Sequence, residues 1–189
     1  MAKRETNRMK NKNVIKTQDI LPDLINEFEQ FIPKDAKSKV INYSGVEGLK
    51  QVTINSLKAK GEIRIFEIEN MGSFLNFGFC EEIRTEFIKR KIKVKELSNQ
   101  KNQKPWTEVS KFVKYNWDCR YIDPKILEAK VELLIYNEVT AIYSYKNNQI
   151  FCVEIYNKNL AETQKQIFDF MWHYAQKLRI KEGGATELW

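Results

Sequence analysis

The eight residues Glu62-Ile63-Arg64-Ile65-Phe66-Glu67-Ile68-Glu69 decide how the rest of the chain is organised. Ile63, Ile65 and Ile68 are apolar and Phe66 stands between them, so both faces of the segment carry apolar side chains. This pattern predicts a strand that is covered on both faces, as in a sheet with helices on either side.

The segments around this strand predict an alternation of strands and helices. A strand is predicted over residues 39–43, and a helix over 46–60 is ended by Gly61. A second helix is predicted over 75–91, and a third strand follows over 92–97. The resulting order, β-α-β-α-β, is typical of a parallel sheet with helices on its faces.

The second half of the chain is rich in strands. A short helix is predicted over 107–115, and Asn159 with Glu162 form a capping-box pattern that opens a last helix reaching about Leu178. The four predicted strands, separated by hairpin turns at Asn137-Glu138 and Asn147-Asn148, are 119–122, 129–136, 139–145 and 149–156. We therefore expect an α/β fold with a mixed central sheet, flanked by helices and closed by a C-terminal helix.

The length of 189 residues suits one domain, which we place at residues 19–180. Residues 1–18 are polar and basic and predict a disordered arm, and residues 181–189 predict a flexible tail. Apolar residues spaced by three and four predict a helix over 20–31. Because so short a helix cannot bury its apolar stripe alone, we expect it to dock on the domain or on a second copy, which favours a homodimer.

The net charge of +7 is concentrated in two segments. Residues 1–18 carry +5 and residues 84–104 carry +6, so the remainder sums to −4. Such segments attract phosphates, although a solvated arm and helix face explain them equally. A nucleic-acid-binding module is therefore an alternative function, with these contact residues: Lys3, Arg4, Arg8, Lys89, Arg90, Lys91, Lys93 and Lys95.

Several classes of function are disfavoured by what the sequence contains. Three dispersed cysteines and a single histidine, His173, do not suit a structural metal site or a disulfide framework. No phosphate-binding loop or nucleophile motif occurs, and the pairs Glu67/Glu69 and Glu81/Glu82 are interpreted as solvated carboxylates. With neither a long apolar run nor a signal-peptide pattern, we expect a cytoplasmic protein without a membrane span, a bound metal or a cofactor.

Several strings resemble the effector-binding domain of TrmB-like transcription regulators. Residues 39–49 resemble its opening strand and glycine turn, 120–122 its Arg-x-Ile strand, and 134–144 its central hairpin. Residues 153–157 and 160–172 resemble its closing strand and helix, so the similarity covers about residues 20–178. The resemblance implies a phospholipase-D-like fold, a role in transcription regulation and binding of an effector. The winged helix of such regulators is not expected, because only about 18 residues precede the first predicted helix.

Active members of the phospholipase D superfamily carry His-x-Lys-x4-Asp before this hairpin. The matching positions are occupied by Lys130, Glu132 and Asn137, so the nucleophilic histidine and the acid are both absent. The resemblance therefore implies a protein that is not an enzyme. A degenerate hydrolase is a further alternative, which turnover of a phosphodiester that depends on His173 would support.

A ligand site is expected outside the carboxyl ends of the strands, as in other open α/β sheets. The residues predicted to line it, including those on the degenerate catalytic face, are Tyr43, Gly45, Glu47, Asn70, Arg120, Lys130, Glu132 and Ser144. These side chains suit a small anionic or hydroxylated effector. The other expected partners are DNA or a DNA-binding protein.

Overall fold

Residues 38–68, 71–146 and 149–189 are described by the computed structural model, and within them nine strands follow the order β1-β7-β6-β5-β2-β3-β4-β8-β9. The strands are β1 (Lys39–Ser44), β2 (Glu62–Glu67), β3 (Lys93–Ser98), β4 (Trp117–Tyr121), β5 (Glu132–Tyr136), β6 (Val139–Lys146), β7 (Gln149–Tyr156), β8 (Gln176–Ile180) and β9 (Thr186–Leu188). The predicted basic arm, the helix over 20–31 and the site residue Asn70 lie outside the described residues.

Four α-helices accompany these strands in the described part of the chain: α1 (Gly45–Ser56), α2 (Phe77–Lys89), α3 (Ser110–Tyr115) and α4 (Lys158–Tyr174). Short 3₁₀ turns cover Met71–Ser73 and Glu182–Gly184. Asparagine caps two of the helices, since Asn76 Oδ1 accepts from Phe79 N at 3.3 Å and Asn157 Oδ1 from Leu160 N at 2.8 Å. The α4 cap is thus Asn157, two residues before the predicted Asn159.

The parallel part of the sheet consists of β2, β3 and β4, and the rest is antiparallel. The prediction that the first strand joins this parallel set is wrong. β1 instead pairs antiparallel with β7 at the edge of the sheet, with Tyr43 opposite Cys152. The edge of β2 that β1 could have joined is occupied by β5, and strand order along the chain does not reveal such competition between distant segments.

The two faces of the sheet are covered by different helices. Side chains alternate along each strand, so Ile63 and Val94 pack with α1, α2 and α3, whereas Phe66 and Leu97 pack with α4. Phe168 of α4 is fully buried, and its ring lies edge-on to Phe66 with centroids 5.1 Å apart. This burial confirms that the strand over residues 62–67 is covered on both sides.

The C-terminal end differs from the prediction. α4 ends at Tyr174, and Leu178, expected on the helix, lies buried in β8, which pairs with β4. Residues 181–189, expected to be a flexible tail, contain a 3₁₀ turn and β9. Apolar spacing alone did not separate helix from strand here, because a single buried residue in a segment of five fits both periods.

Candidate ligand-binding site

Three buried glutamates lie on three neighbouring strands: Glu132 on β5, Glu67 on β2 and Glu96 on β3. The strand registers place their side chains on the face covered by α1, α2 and α3, the same face as Ile63 and Val94. Their exposed fractions are only 5%, 6% and 8%, respectively. Glutamate is rarely buried to this degree without a partner, so the cluster requires an explanation.

Each glutamate accepts a hydrogen bond from a different neighbour. The bonds run from Gln103 Nε2 to Glu67 Oε2 (3.2 Å), from Trp117 Nε1 to Glu96 Oε2 (3.0 Å) and from the Ile68 amide to Glu132 Oε2 (3.0 Å). The other oxygen of Glu96, Oε1, is buried and receives no hydrogen bond from an amide, indole or hydroxyl group of the described residues. The neighbouring Glu67 carboxyl can donate to Glu96 when it is protonated, and a hydroxyl group of a ligand could take the same role.

Burial changes the protonation of this cluster. It raises the pKa of Glu67 well above its ordinary range, and repulsion from Glu96 adds to the effect. Burial also raises the pKa of Glu132, and repulsion from Glu67 adds to that rise. Burial also raises the pKa of Glu96 to about 7. These shifts favour the protonated forms, which offer both hydroxyl donors and carbonyl acceptors.

A cavity of about 50 Å³ lies between the three glutamates and the elements above the sheet. Its other wall is formed by Arg84 and Phe87 of α2, by Trp106 in the loop before α3, and by Phe112 of α3. The cavity thus combines carboxyl groups and a guanidinium with aromatic rings. Small-molecule sites commonly have this composition, with apolar walls and a few placed polar groups.

Arg84 is held in place by a network at the α2 wall. Its guanidinium lies 4.5 Å from the centroid of the Trp106 ring, and Nη1 donates to Glu81 Oε1. Glu81 also accepts from Thr107 Oγ1 and from the Glu108 amide, both at 2.8 Å. Burial opposes ionisation of Glu81, but these hydrogen bonds hold its pKa below the ordinary value. Glu81 is therefore a structural partner, which corrects its interpretation as a solvated carboxylate.

Trp106 is held in position by hydrogen bonds to the C-terminal segment. Trp106 Nε1 donates to Gly184 O at 2.8 Å, and the Trp106 amide donates to Gly183 O at 2.8 Å. Gly184 has a φ of +79°, and a Cβ atom there would lie 2.5 Å from the Trp106 ring. Glycine is required at this position by both its backbone conformation and the close approach of the indole.

Of the eight residues predicted to line a ligand site, the seven that the structure describes are not brought together. Glu132 lines the cavity, but Arg120 lies on the opposite face, where it donates to Trp172 O at 2.8 Å and stacks on that indole at 4.4 Å. The side chain of Lys130 is 75% exposed and pairs with Glu128. Among the other predicted residues, exposed Glu47 pairs with Lys50, Gly45 begins α1, and Ser144 alternates with Tyr143 and so lies on the face opposite the cavity.

Tyr43 belongs to a separate polar cluster around Glu154, which is fully buried. Glu154 Oε2 accepts from Tyr43 (3.0 Å), Asn55 (3.0 Å) and Tyr156 (2.9 Å), and Oε1 accepts from Tyr136 (3.2 Å). Burial, together with Glu154, raises the pKa of Tyr156 to about 12. With both oxygens satisfied by donors of the chain itself, this cluster stabilises the β1 edge and offers no open position to a ligand.

The three positions that correspond to the catalytic motif are spread along β5. Lys130 precedes the strand and points to solvent, Glu132 begins it inside the cavity, and Asn137 follows its far end. Asn137 adopts a φ of +47°, and its side chain accepts from the Lys60 amide at 2.9 Å. Five residues of extended strand separate Glu132 from Asn137 by roughly 16 Å.

The predicted nucleic-acid contacts divide into three groups. Lys3, Arg4 and Arg8 lie outside the described residues, and Lys89 and Arg90 pair with Glu86. Lys95 pairs with Glu62 at 3.0 Å beneath α4. Lys91 and Lys93 are exposed at the start of β3.

Five of the residues that line the cavity were not identified from the sequence: Glu67, Arg84, Glu96, Trp106 and Trp117. The interpretation of Glu67 as a solvated carboxylate is wrong, because Glu67 lies on the same face of the strand as Ile63 and Ile65. Glu96 likewise lies on the same face of its strand as Val94. A charged residue at a core-facing position of an alternating strand is the signal in the sequence that could have identified both.

Two features are absent from the described residues. No group of three His, Cys, Asp or Glu side chains among them is arranged to hold a metal ion. No helix in the same residues has the length and apolar character needed to cross a membrane.

No protein-family model and no curated protein matches this sequence. Solved structures do match. TrmBL2, an archaeal chromatin protein, aligns with a TM-score of 0.54 and 18% identity over 92% of this chain and 67% of its own. Nuc from Salmonella typhimurium, a phospholipase D family member, aligns with a TM-score of 0.55 and 14% identity over 75% and 99% of the two chains. NucT from Helicobacter pylori aligns with a TM-score of 0.52 and 14% identity over 74% of this chain and 99% of its own.

This chain has a phospholipase-D-like fold. The mixed sheet, with helices on both faces, is therefore the architecture that the family resemblance implied. Identities below 20% carry the fold and nothing finer. Within the phospholipase-D-like fold of this protein, the carboxyl-lined cavity lies beside β2 and β3.

Proposed function

We propose that this protein is a non-catalytic sensor domain that binds a small, neutral, hydroxylated ligand in the carboxyl-lined cavity. The observation that carries the proposal is the buried cluster of Glu67, Glu96 and Glu132 facing a cavity that is also lined by Arg84 and two indoles.

The lining favours a polyol over the other ligand class that the sequence left open. Three carboxyl groups disfavour an anion even when two are protonated, because ionisation of any one repels it. Hydroxyl groups suit the site, since they can donate to Glu96 Oε1 and accept from protonated carboxyls or Arg84. The indoles of Trp106 and Trp117 supply flat apolar walls against which carbon-bound hydrogens can pack.

The non-catalytic proposal is supported by the residue types at the three motif positions. Lys130, Glu132 and Asn137 face solvent, the cavity and the β5–β6 turn, respectively, and none is histidine. His173, the one histidine of the chain, is exposed at the end of α4 against Tyr174. A nucleophile without a neighbouring base is a poor catalyst. Turnover of a phosphodiester that is lost in His173→Ala would contradict this assignment.

The ligand proposal can be tested with the smallest neutral polyols, ethylene glycol and glycerol, and with ribose and glucose as controls that are too large for a cavity of about 50 Å³. Polyols stabilise most proteins because they are excluded from the protein surface, so the readout is the difference between variants. Val94→Leu adds a methylene to the cavity wall, and Val46→Leu makes the same change at a site that is 45% exposed. At least one polyol is expected to raise the Tm of wild type and Val46→Leu more than that of Val94→Leu.

The same result would be required in calorimetric titration at neutral pH. Wild type and Val46→Leu should bind the polyol with equal affinity. Val94→Leu should bind it at least tenfold more weakly, because the added methylene occupies volume that the ligand needs. Equal Tm shifts in all three proteins for every polyol would show that the effect is solvent exclusion alone, and the cavity would then have no role in binding.

We further propose that the sensor acts in cytoplasmic transcription regulation as a homodimer that contacts DNA or a DNA-binding protein. The support is the structural similarity to TrmBL2, a chromatin protein whose structure shows a novel mode of DNA binding. Light scattering of the full chain should give the mass of a dimer. A strict monomer at tens of micromolar protein would refute the dimer.

A further inference from the structure

Five lysines gather where the three parallel strands begin. Because β2, β3 and β4 are parallel, their N-terminal ends lie along one edge of the sheet. The chain segments that enter this edge carry exposed lysines on each of the three strands or their connections. These residues, here termed the basic rim, are Lys58, Lys60, Lys91, Lys93 and Lys114.

Hydrogen bonds hold these segments side by side. The Lys93 amide donates to Gly61 O at 2.7 Å, next to Lys60. The Lys93 ammonium donates to Tyr115 O, next to Lys114. Lys91 is fixed in the tight turn after α2 with a φ of +57°. These bonds place the segments that carry Lys60, Lys93 and Lys114 side by side.

The charge of the basic rim is not neutralised by carboxylates of the described residues. None of the five ammonium groups forms an ion pair there, whereas Lys89 and Arg90 both pair with Glu86, and Lys95 pairs with Glu62. Like charges gathered on one surface repel each other and raise the local potential. A polyanion that brings several phosphates to this edge would relieve the repulsion and release its own counterions.

We infer that the basic rim is a nucleic-acid-binding surface that contacts the phosphate backbone. Lysine is a point charge on a flexible stem and reads no base sequence by itself, so binding at the rim is expected to be non-specific. Among these lysines, Tyr115 is 57% exposed and can pack against a base or sugar. One ring offers little apolar area for insertion into a bilayer, which favours nucleic acid over an anionic lipid surface. This inference is independent of the cavity and of its ligand.

The test is fluorescence anisotropy with a labelled 30-base-pair duplex of random sequence, between 50 and 200 mM salt. If all five lysines contact phosphates, the slope of log K against log salt should be about −4.5, a loss of about 500-fold across that range. The triple variant Lys60→Gln, Lys93→Gln, Lys114→Gln should bind more weakly, with a slope shallower by about 2.7. Unchanged circular dichroism and Tm would establish that the variant is folded.

Two control variants and a binding measurement with phosphatidylserine vesicles complete the experiment. The first control replaces three exposed lysines elsewhere with glutamine, Lys39, Lys125 and Lys177, and the second replaces Lys3, Arg4 and Arg8 with glutamine. The inference requires the rim variant to lose more affinity and slope than the first control. It is overturned if wild type does not bind the duplex at 50 mM salt, if only the Lys3, Arg4 and Arg8 variant loses binding, or if the rim supports binding to phosphatidylserine vesicles but not to DNA.

Discussion

Glu96 provides a pH-dependent test of the buried carboxyl cluster. Its pKa is raised by burial from an ordinary value of 4.5 to about 7. The folded protein therefore binds more protons at this site than the unfolded chain does between those two pH values. The free energy of unfolding must consequently fall as pH rises through this window. The stabilising contribution is complete below about pH 4.5 and is lost above about pH 7.

The magnitude follows from the linkage of proton binding to folding. A rise in pKa from 4.5 to about 7 corresponds to about 3 kcal/mol. Glu96→Gln keeps the shape of the protonated side chain and an oxygen that can accept from Trp117, but it cannot ionise. Between pH 5 and pH 8, wild type should therefore lose about 2–3 kcal/mol more stability than this variant.

Urea denaturation followed by circular dichroism at pH 5, 6, 7 and 8 would measure the difference. Glu47→Gln is the matched control for the substitution itself, because the Glu47 side chain is 82% exposed. Parallel pH profiles for wild type and Glu96→Gln would refute the reasoning. So would a wild type that becomes more stable relative to Glu96→Gln as pH rises from 5 to 8.

Two further substitutions test the packing around the site. Gly184→Ala combines a φ of +79° with a contact of 2.5 Å to Trp106, so it should destabilise by about 1–3 kcal/mol and perturb tryptophan fluorescence. Gly61→Ala, at φ +87° with open space around it, should lower the free energy of unfolding only through backbone strain, without a steric clash. Phe168→Ala should cost about 3–5 kcal/mol in urea denaturation, whereas Phe170→Ala, 62% exposed, should stay within about 0.5 kcal/mol of wild type.

Much of the fold could be predicted from periodicity. The strand over 62–67 and helices α1 and α2 follow directly from alternation and from spacing by three and four. The edge position of β1 could not be predicted, because pairing of β1 with β7 depends on residues more than a hundred positions apart. The strand at Leu178 was missed because the unpaired edge of β4, which β8 completes, is visible only in three dimensions.

The candidate site was much less predictable than the fold. Glu132 was identified through the family resemblance, but Arg120 and Ser144 fell on the opposite face of the sheet. The glutamates at 67 and 96 come from strands that are adjacent in space, and their burial depends on that adjacency. Alternation assigns a residue to a face, but it does not show which strands lie next to each other.

The central claim, that a ligand enters the carboxyl-lined cavity, can be tested most directly through the indole N–H signals in nitrogen-15 NMR. The chain has four tryptophans, of which Trp106 and Trp117 line the cavity, while Trp172 of α4 packs on the opposite face of the sheet and Trp189 is 85% exposed. Titration with the polyol that best stabilises the protein should shift the Trp106 and Trp117 signals in a saturable way and leave the other two in place. Saturable stabilisation without movement of the Trp106 and Trp117 signals would contradict the account.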